Sequence, residues 1–287
     1  MSDGIDRPDS SDRLSSTGFE PIAPPSEMTT AELAQVMQVV MRFGTVMLRC
    51  GTVSFRVEEA MRQVALTFGV ERLDAFTTLT GITASAHRGA MHYTQVARIH
   101  TIGVNMGRLS DVEFLSQHIP LDATPSSLMA ALDKIEAKPP FYSHWLTILA
   151  VAVACGAFAG LNGGSTPEFV AAMVASGIGQ GIRMRLSRRY LNPIAITVVC
   201  AAIATLLCHF ALKALLWGGW APQMPDSAFL AAVLFLVPGM PLVTAALDLV
   251  RLDLISGMTR VVYALLLLAG GAFGMMLGMS LVGLSLS

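Results

Sequence analysis

Charge is scarce in this chain. Only 14% of its 287 residues are Asp, Glu, Lys or Arg, and the formal net charge is −1, so it lacks the basic surface that a nucleic-acid partner requires. The cysteines, Cys50, Cys155, Cys200 and Cys208, include no CxxC pair. Three of them sit in apolar stretches, where cysteine serves as a small packing residue. HExxH, GxSxG and a glycine-rich phosphate loop are all missing, which removes the usual marks of zinc hydrolases, serine hydrolases and nucleotide-driven enzymes. No catalytic residue, metal or cofactor is expected. His87, His92 and His100 could meet on a sheet, but without metal spacing they read as solvated histidines. The opening MSDGIDRPDSSDRLSSTGFEPIAPPSE has no apolar core to act as a secretory signal, so residues 1–28 read as a disordered tail.

Apolar residues are abundant instead. At 53% hydrophobic and a mean hydropathy of +0.60, the chain is too apolar for a soluble domain of this length. The surplus lies mostly after residue 140. The expected fold is therefore a cytoplasmic α+β domain over 29–143, followed by a membrane α-helical bundle of five transmembrane helices over 144–287.

In the first part, Thr29 before Glu32 fits a capping box, and Leu33, Val36, Met37, Val40, Met47 and Leu48 recur at helical spacing. A second helix runs from about Ser54 to a stop at Gly69. The stretches LDAFTTLTGITASAH and MHYTQVARIHTI have strand composition, with a turn at His87, Arg88 and Gly89. Ser110 with Glu113 signals another helix start, and Thr124 with Pro125 a fourth. In FRVEEAM, Arg56, Glu58 and Glu59 crowd one helix start; they either carry chemistry or simply favour the positive end of the helix dipole.

In the second part, spans of roughly 20 apolar residues are expected at Trp145–Leu161, Phe169–Ile182, Ile194–Leu216, Phe229–Val250 and Val261–Leu284. Arg183, Arg185, Arg188 and Arg189 fall between spans two and three, and Arg251 and Arg260 between four and five, whereas NGGSTPE carries no base. By the positive-inside rule these joins and the N-terminal domain are cytoplasmic, and the C-terminus is outside. Gly156, Gly160 and Gly164, and likewise Gly270, Gly274 and Gly278, are spaced for close helix packing.

Span four is broken. Pro238 cannot bond the carbonyl of Leu234, nor Pro241 that of Val237, so two acceptors are freed with Gly239 between them. Lipid cannot satisfy such groups, and transporters build binding sites from discontinuous helices of this kind; the plain alternative is a proline kink. Thr244 and Asp248 share a face with Pro241. An ionisable residue within a span marks function by default, here a proton carrier or gate, unless Asp248 merely pairs with Arg251 three residues on. Gln180 in the short, glycine-interrupted second span is a further pointer. Asn162, Gly163 and Gly164 form either a loop or a flexible gate.

RCGTVSFRVEEAMRQVALTFGV, TLTGITAS, IGVNMGRLSDV, LNGG and LVPGMPLVTAALDLVRLDLISGMTR stand in an order that resembles the threonine/serine exporter family of bacterial membrane proteins. The resemblance covers nearly everything from Leu33 onward. It implies a secondary exporter with no ATP site, and Arg56, Glu58, Glu59, Arg98 and Asn105 as residues of the cytoplasmic domain that feed or regulate the pore. It also implies the larger subunit of a split form, with a small second membrane subunit supplying further spans; the split form is associated with succinate-type dicarboxylates and the fused form with threonine and serine. Thr244 stands where the family often has Asn, and Phe55 where Tyr is common, which leaves the substrate open. The expected function is export of a small polar solute across the bacterial inner membrane, driven by the proton or ion gradient, with membrane lipid around it and self-association a further option. The alternatives are a membrane-anchored hydrolase using Ser54 or a histidine, and a sensor with its ligand site in the N-terminal domain.

Overall fold

The computed structural model describes residues 28–99, 103–120, 122–189 and 191–283. The expected disordered tail, apart from its last residue, His100 and the chain beyond 283 lie outside the described residues.

Helix α1 (Thr30–Arg49) opens with the capping box of Thr29 and Glu32 and buries the apolar stripe read from the sequence, including Leu33, Met37, Val40 and Met47. Helix α2 (Ser54–Thr67) follows and ends at Gly69, whose φ of +78° takes the left-handed conformation glycine permits. The Thr-rich segment is two strands rather than one. Strand β1 (Arg72–Thr78) turns through Leu79 and Thr80 into β2 (Gly81–Arg88), and a turn at Gly89 leads to β3 (Met91–Arg98). The three form an antiparallel meander in the order β1-β2-β3, with His87 opposite His92. Ile82, Ala84 and Ala86 of β2 face inward and join the α1 core.

Helix α3 (Met106–Gln117) begins earlier than expected. Asn105, not Ser110, is its N-cap, and accepts from the Arg108 amide at 3.0 Å. An Asx cap needs only its own side chain in the right backbone setting, so the later capping-box signal lost to it. Helix α4 (Pro125–Ala137) opens at Thr124 as read.

The helical part comprises α5 (His144–Leu161), α6 (Thr166–Ser187), α7 (Pro193–Trp217), α8 (Pro225–Val233) with a 3-10 turn over Leu234–Leu236, α9 (Gly239–Val250) and α10 (Leu254–Leu281). Helices α5, α7 and α10 are long and apolar enough to cross a membrane, with mean hydropathies of 1.8, 2.3 and 2.0; the bent pair of α8 and α9 makes a fourth if it crosses as one span. At 22 residues α6 is long enough, but Glu168, Arg183 and Arg185 keep it below that apolarity. Among the described residues there are therefore three or four candidate spans where five were expected. Apolar side chains such as Trp145, Leu149, Leu265 and Phe273 stand exposed, faces that water would not tolerate in such number.

The glycine runs act unequally. A Cβ on Gly274 would sit 2.2 Å from the Val198 carbonyl, and one on Gly278 2.8 Å from Thr205, so α10 presses against α7 there. Gly156 similarly meets the Phe169 carbonyl of α6, but Gly160 has nothing within 4 Å and contributes no close contact.

Candidate functional site

The break lies between α8 and α9, whose axes diverge by 64°. The turn before Pro238 is 3-10, not α, and this changes which carbonyl is orphaned. Leu234 O accepts from the Val237 amide at 3.0 Å, and Val237 O from Gly239 at 2.9 Å, so both acceptors expected to be free are satisfied. In 3-10 register Phe235 O should bond residue 238, which is proline and has no N–H. Its α-helical partner, the Gly239 amide, is turned to Val237. Arg183 of α6 fills the gap, donating from Nη1 to Phe235 O at 2.7 Å. Arg183 is thus not a loop charge but an intrahelical one, reaching into the break. Pro238 is the N-cap of α9 and Pro241 lies in its first turn, where a missing N–H costs little.

A second locus sits at the other end of α9. Asp248 is 1% exposed and Arg260 of α10 is 2% exposed, with Arg260 Nε 2.9 Å from Asp248 Oδ2. The Nε–H is not aimed at that oxygen, so the contact is an ion pair rather than an aligned hydrogen bond. The guanidinium's other nitrogens donate to Thr244 Oγ1 at 3.2 Å and to the Thr52 carbonyl at 3.0 Å. The Asp248 carboxylate accepts from the Ser54 amide at 3.1 Å and from Ser54 Oγ at 3.3 Å. Helix α2 has no side-chain cap of its own, its N-cap being Val53. Asp248 therefore caps it from the helical half, placing a carboxylate at the positive end of the α2 dipole. Ser256 at the start of α10 adds a bond from Oγ to the Thr77 carbonyl at 2.5 Å, so both halves of the chain are bonded at this junction.

Two expectations change here. Asp248 pairs with Arg260, not with Arg251; Arg251 follows the end of α9 and lies over the Phe55 ring, 3.7 Å from its centroid. Arg260 is inside α10 because that helix starts at Leu254, capped by Asp253. Asp253 followed by Ser256 was the sequence signal that would have moved Arg260 from the join into the helix. Thr244 Oγ1 donates back to the Met240 carbonyl at 2.9 Å and accepts from Arg260, so its hydroxyl is engaged in this conformation. Ser54, the hydrolase alternative's nucleophile, is fully buried and bonded to a carboxylate.

The other predicted residues are dispersed. Glu58 accepts from the Thr77 amide at 3.1 Å; burial, together with the charges of Asp253 and Asp248, holds its carboxyl above the usual carboxylate range despite that bond. Arg56 pairs with Glu113 at 3.2 Å, Glu59 pairs with Arg62, and Arg56 and Glu59 line a groove of about 300 Å³ between α2 and α3. Arg98 is exposed at the end of β3, and Asn105 is a helix cap. Asn162 caps α5 and donates to the Phe158 carbonyl, Gly163 has a φ of +85°, and a Cβ on Gly164 would lie 2.6 Å from Ser227 Oγ. These three form a tight turn. Beside it the buried Glu168, unremarked in the sequence, accepts from the amides of Ser165 and Met224 at 2.9 and 2.6 Å and ties the α5–α6 and α7–α8 connections together. Gln180 has its Oε1 buried and without a partner. Among the described residues, no group of three His, Cys, Asp or Glu side chains is placed to hold a metal.

Discontinuous helices such as the α8–α9 pair occur in transport proteins. The family described as "Putative threonine/serine exporter" matches residues 38–282. The chain is 26% identical over 260 residues to the "Probable succinate transporter subunit YjjP" of Escherichia coli, covering 90% of this chain and 98% of that protein. It is likewise 26% identical over 265 residues to the "Threonine/serine exporter" of Corynebacterium glutamicum, covering 91% of this chain but 54% of that one. No solved structure matches. With the family matched over most of its length, the chain belongs to the threonine/serine exporter family of transporters.

Proposed function

We propose that this chain is one subunit of a secondary exporter of small polar metabolites, either threonine and serine or succinate-type dicarboxylates, in the bacterial inner membrane. The observation that carries the reading is the buried Asp248–Arg260 pair, held jointly by α9, α10 and the start of α2. In this reading α6 is the fifth span, its Glu168 accepting from backbone amides and its Arg183 donating to the Phe235 carbonyl within the protein. With five spans, the C-terminal end of α6 with Arg185, Arg188 and Arg189 and the α9–α10 join with Arg251 would fall on the same side, which supports an N-terminal domain in the cytoplasm and a C-terminus outside.

Asp248 is the coupling group and the pair is the gate. Protonating the carboxylate weakens its hold on Arg260 and on the α2 N-terminus. Arg260 then releases Thr244, whose hydroxyl turns to the solute as the pathway opens along the face it shares with Pro241 at the break. The N-terminal domain feels the same event through Ser54. The E. coli relative's designation as a subunit, and its full-length match to this chain, support a separate small membrane subunit that completes the bundle, for which the exposed apolar faces of α9 and α10 offer surface.

Efflux from cells preloaded with labelled threonine, serine or succinate, with and without this chain and a co-expressed small membrane partner, tests the proposal. Faster loss of one solute only when both are present is expected. Equal loss of all three in every strain contradicts it.

A further inference from the structure

Arg183 has a duty left over. Its Nη1 serves the Phe235 carbonyl, but a guanidinium carries five donors and a full charge. Among the described residues no carboxylate lies within ion-pair distance of it. The titratable groups acting on it are the Cys200 thiol and the Tyr263 hydroxyl, both neutral in their ordinary state. Arg260, the fully buried arginine of α10, has its acid. An unneutralised, half-buried cation within a membrane-crossing bundle is costly unless something anionic visits it.

Three independent features surround it. Gln180, one turn earlier on α6 and so on the same side of the helix, has its Oε1 buried with no partner. An amide can present either its oxygen or its NH₂ to a neighbour, so a ligand bearing a donor or an acceptor would satisfy it. Helix α9 starts at Gly239, just past the carbonyl that Arg183 holds, and its N-terminal end favours negative charge. Finally, α6 is held close to the break, since a Cβ on Gly179 would lie 2.7 Å from the Phe235 ring.

We propose that Arg183 and Gln180 form a carboxylate-binding site at the broken helix, with Arg183 pairing the solute's carboxylate and Gln180 bonding the solute's second polar group. The inference rests on the exporter reading and deepens it. The transported species is a carboxylate anion or the carboxylate end of a zwitterion, and its charge is recognised by α6, not by the Asp248–Arg260 junction.

The test is concentration-dependent efflux, measured in proteoliposomes holding the full chain with its small partner, of labelled succinate and labelled threonine, for the wild type and for Arg183→Gln, Arg183→Lys and Gln180→Leu. Glutamine at 183 keeps an N–H donor on a shorter side chain but has no charge, whereas lysine keeps the charge. If Arg183 binds the carboxylate, Arg183→Gln raises KM for whichever solute is carried by about 10- to 100-fold, the range of a lost charge-assisted bond, while Arg183→Lys recovers part of it. Gln180→Leu raises KM with kcat in place. In the wild type the matching carboxamides, succinamide and threoninamide, compete poorly; in Arg183→Gln that discrimination disappears. An unchanged KM in Arg183→Gln overturns the proposal and leaves Arg183 as a brace for the break. Absence of efflux of either solute in the wild type overturns the exporter reading itself, which separates the two failures.

Discussion

The amide of Ser54, the first residue of α2, donates to the carboxylate of Asp248, 194 residues later in the chain. A helix in the N-terminal half thus begins on an acid supplied by α9, one arm of the bent pair. Few local arrangements could make the two halves more dependent on each other, because neither group has a substitute nearby: Val53 offers no cap, and the carboxylate's other partners are Arg260 and the Ser54 hydroxyl.

Removing one member of a buried pair leaves the other charge uncompensated, at a cost of about 3–5 kcal/mol. Arg260→Ala is therefore expected to lower the thermal stability of the purified protein far more than Arg251→Ala. The latter loses only a ring contact, worth about 0.5–1 kcal/mol at an accessible site. Equal losses from the two substitutions would mean that Asp248 does not depend on Arg260.

The cap itself can be dissected. Ser54→Ala removes the hydroxyl bond and should cost about 1 kcal/mol, keeping the amide bond. Ser54→Pro removes both, although proline is otherwise well suited to a first helical position. A larger loss for proline than for alanine, read as the difference in unfolding midpoint, identifies the amide-to-Asp248 bond as the main tie.

Glu58 gives a pH signature. Its carboxyl is raised chiefly by burial, so the folded protein holds that proton more tightly than the unfolded chain does. Between the ordinary value of 4.5 and the higher folded value, stability falls as pH rises, and above the folded value the penalty is complete. Glu58→Gln should flatten this part of the stability profile. A profile with the same slope in the variant would place the titration elsewhere.

Much of this architecture was legible beforehand, for definite reasons. The α1 stripe and its capping box are local patterns, and local patterns survive tertiary context. The break was legible because proline cannot hide its missing N–H. What the sequence could not reveal was the register of the turn before it: a 3-10 turn moved the orphaned carbonyl from Leu234 to Phe235 and recruited Arg183, a long-range event with no local mark. Arg260 reads as part of the join because the Asp253 cap that starts α10 stands seven positions before it, hidden among apolar and small side chains. Asp248's true partners, Ser54 and Arg260, are set by packing between halves that no spacing rule connects.

The proposed role of Asp248 is to couple solute movement to protons. It is tested most directly by efflux from proteoliposomes containing the chain and its small partner, with and without an imposed gradient, acid outside. The wild type should speed up under the gradient. Asp248→Asn should not, nor should Asp248→Asn combined with Arg260→Gln, a pairing that avoids leaving a lone buried cation. Gradient-driven acceleration that persists unchanged in both variants would contradict the claim.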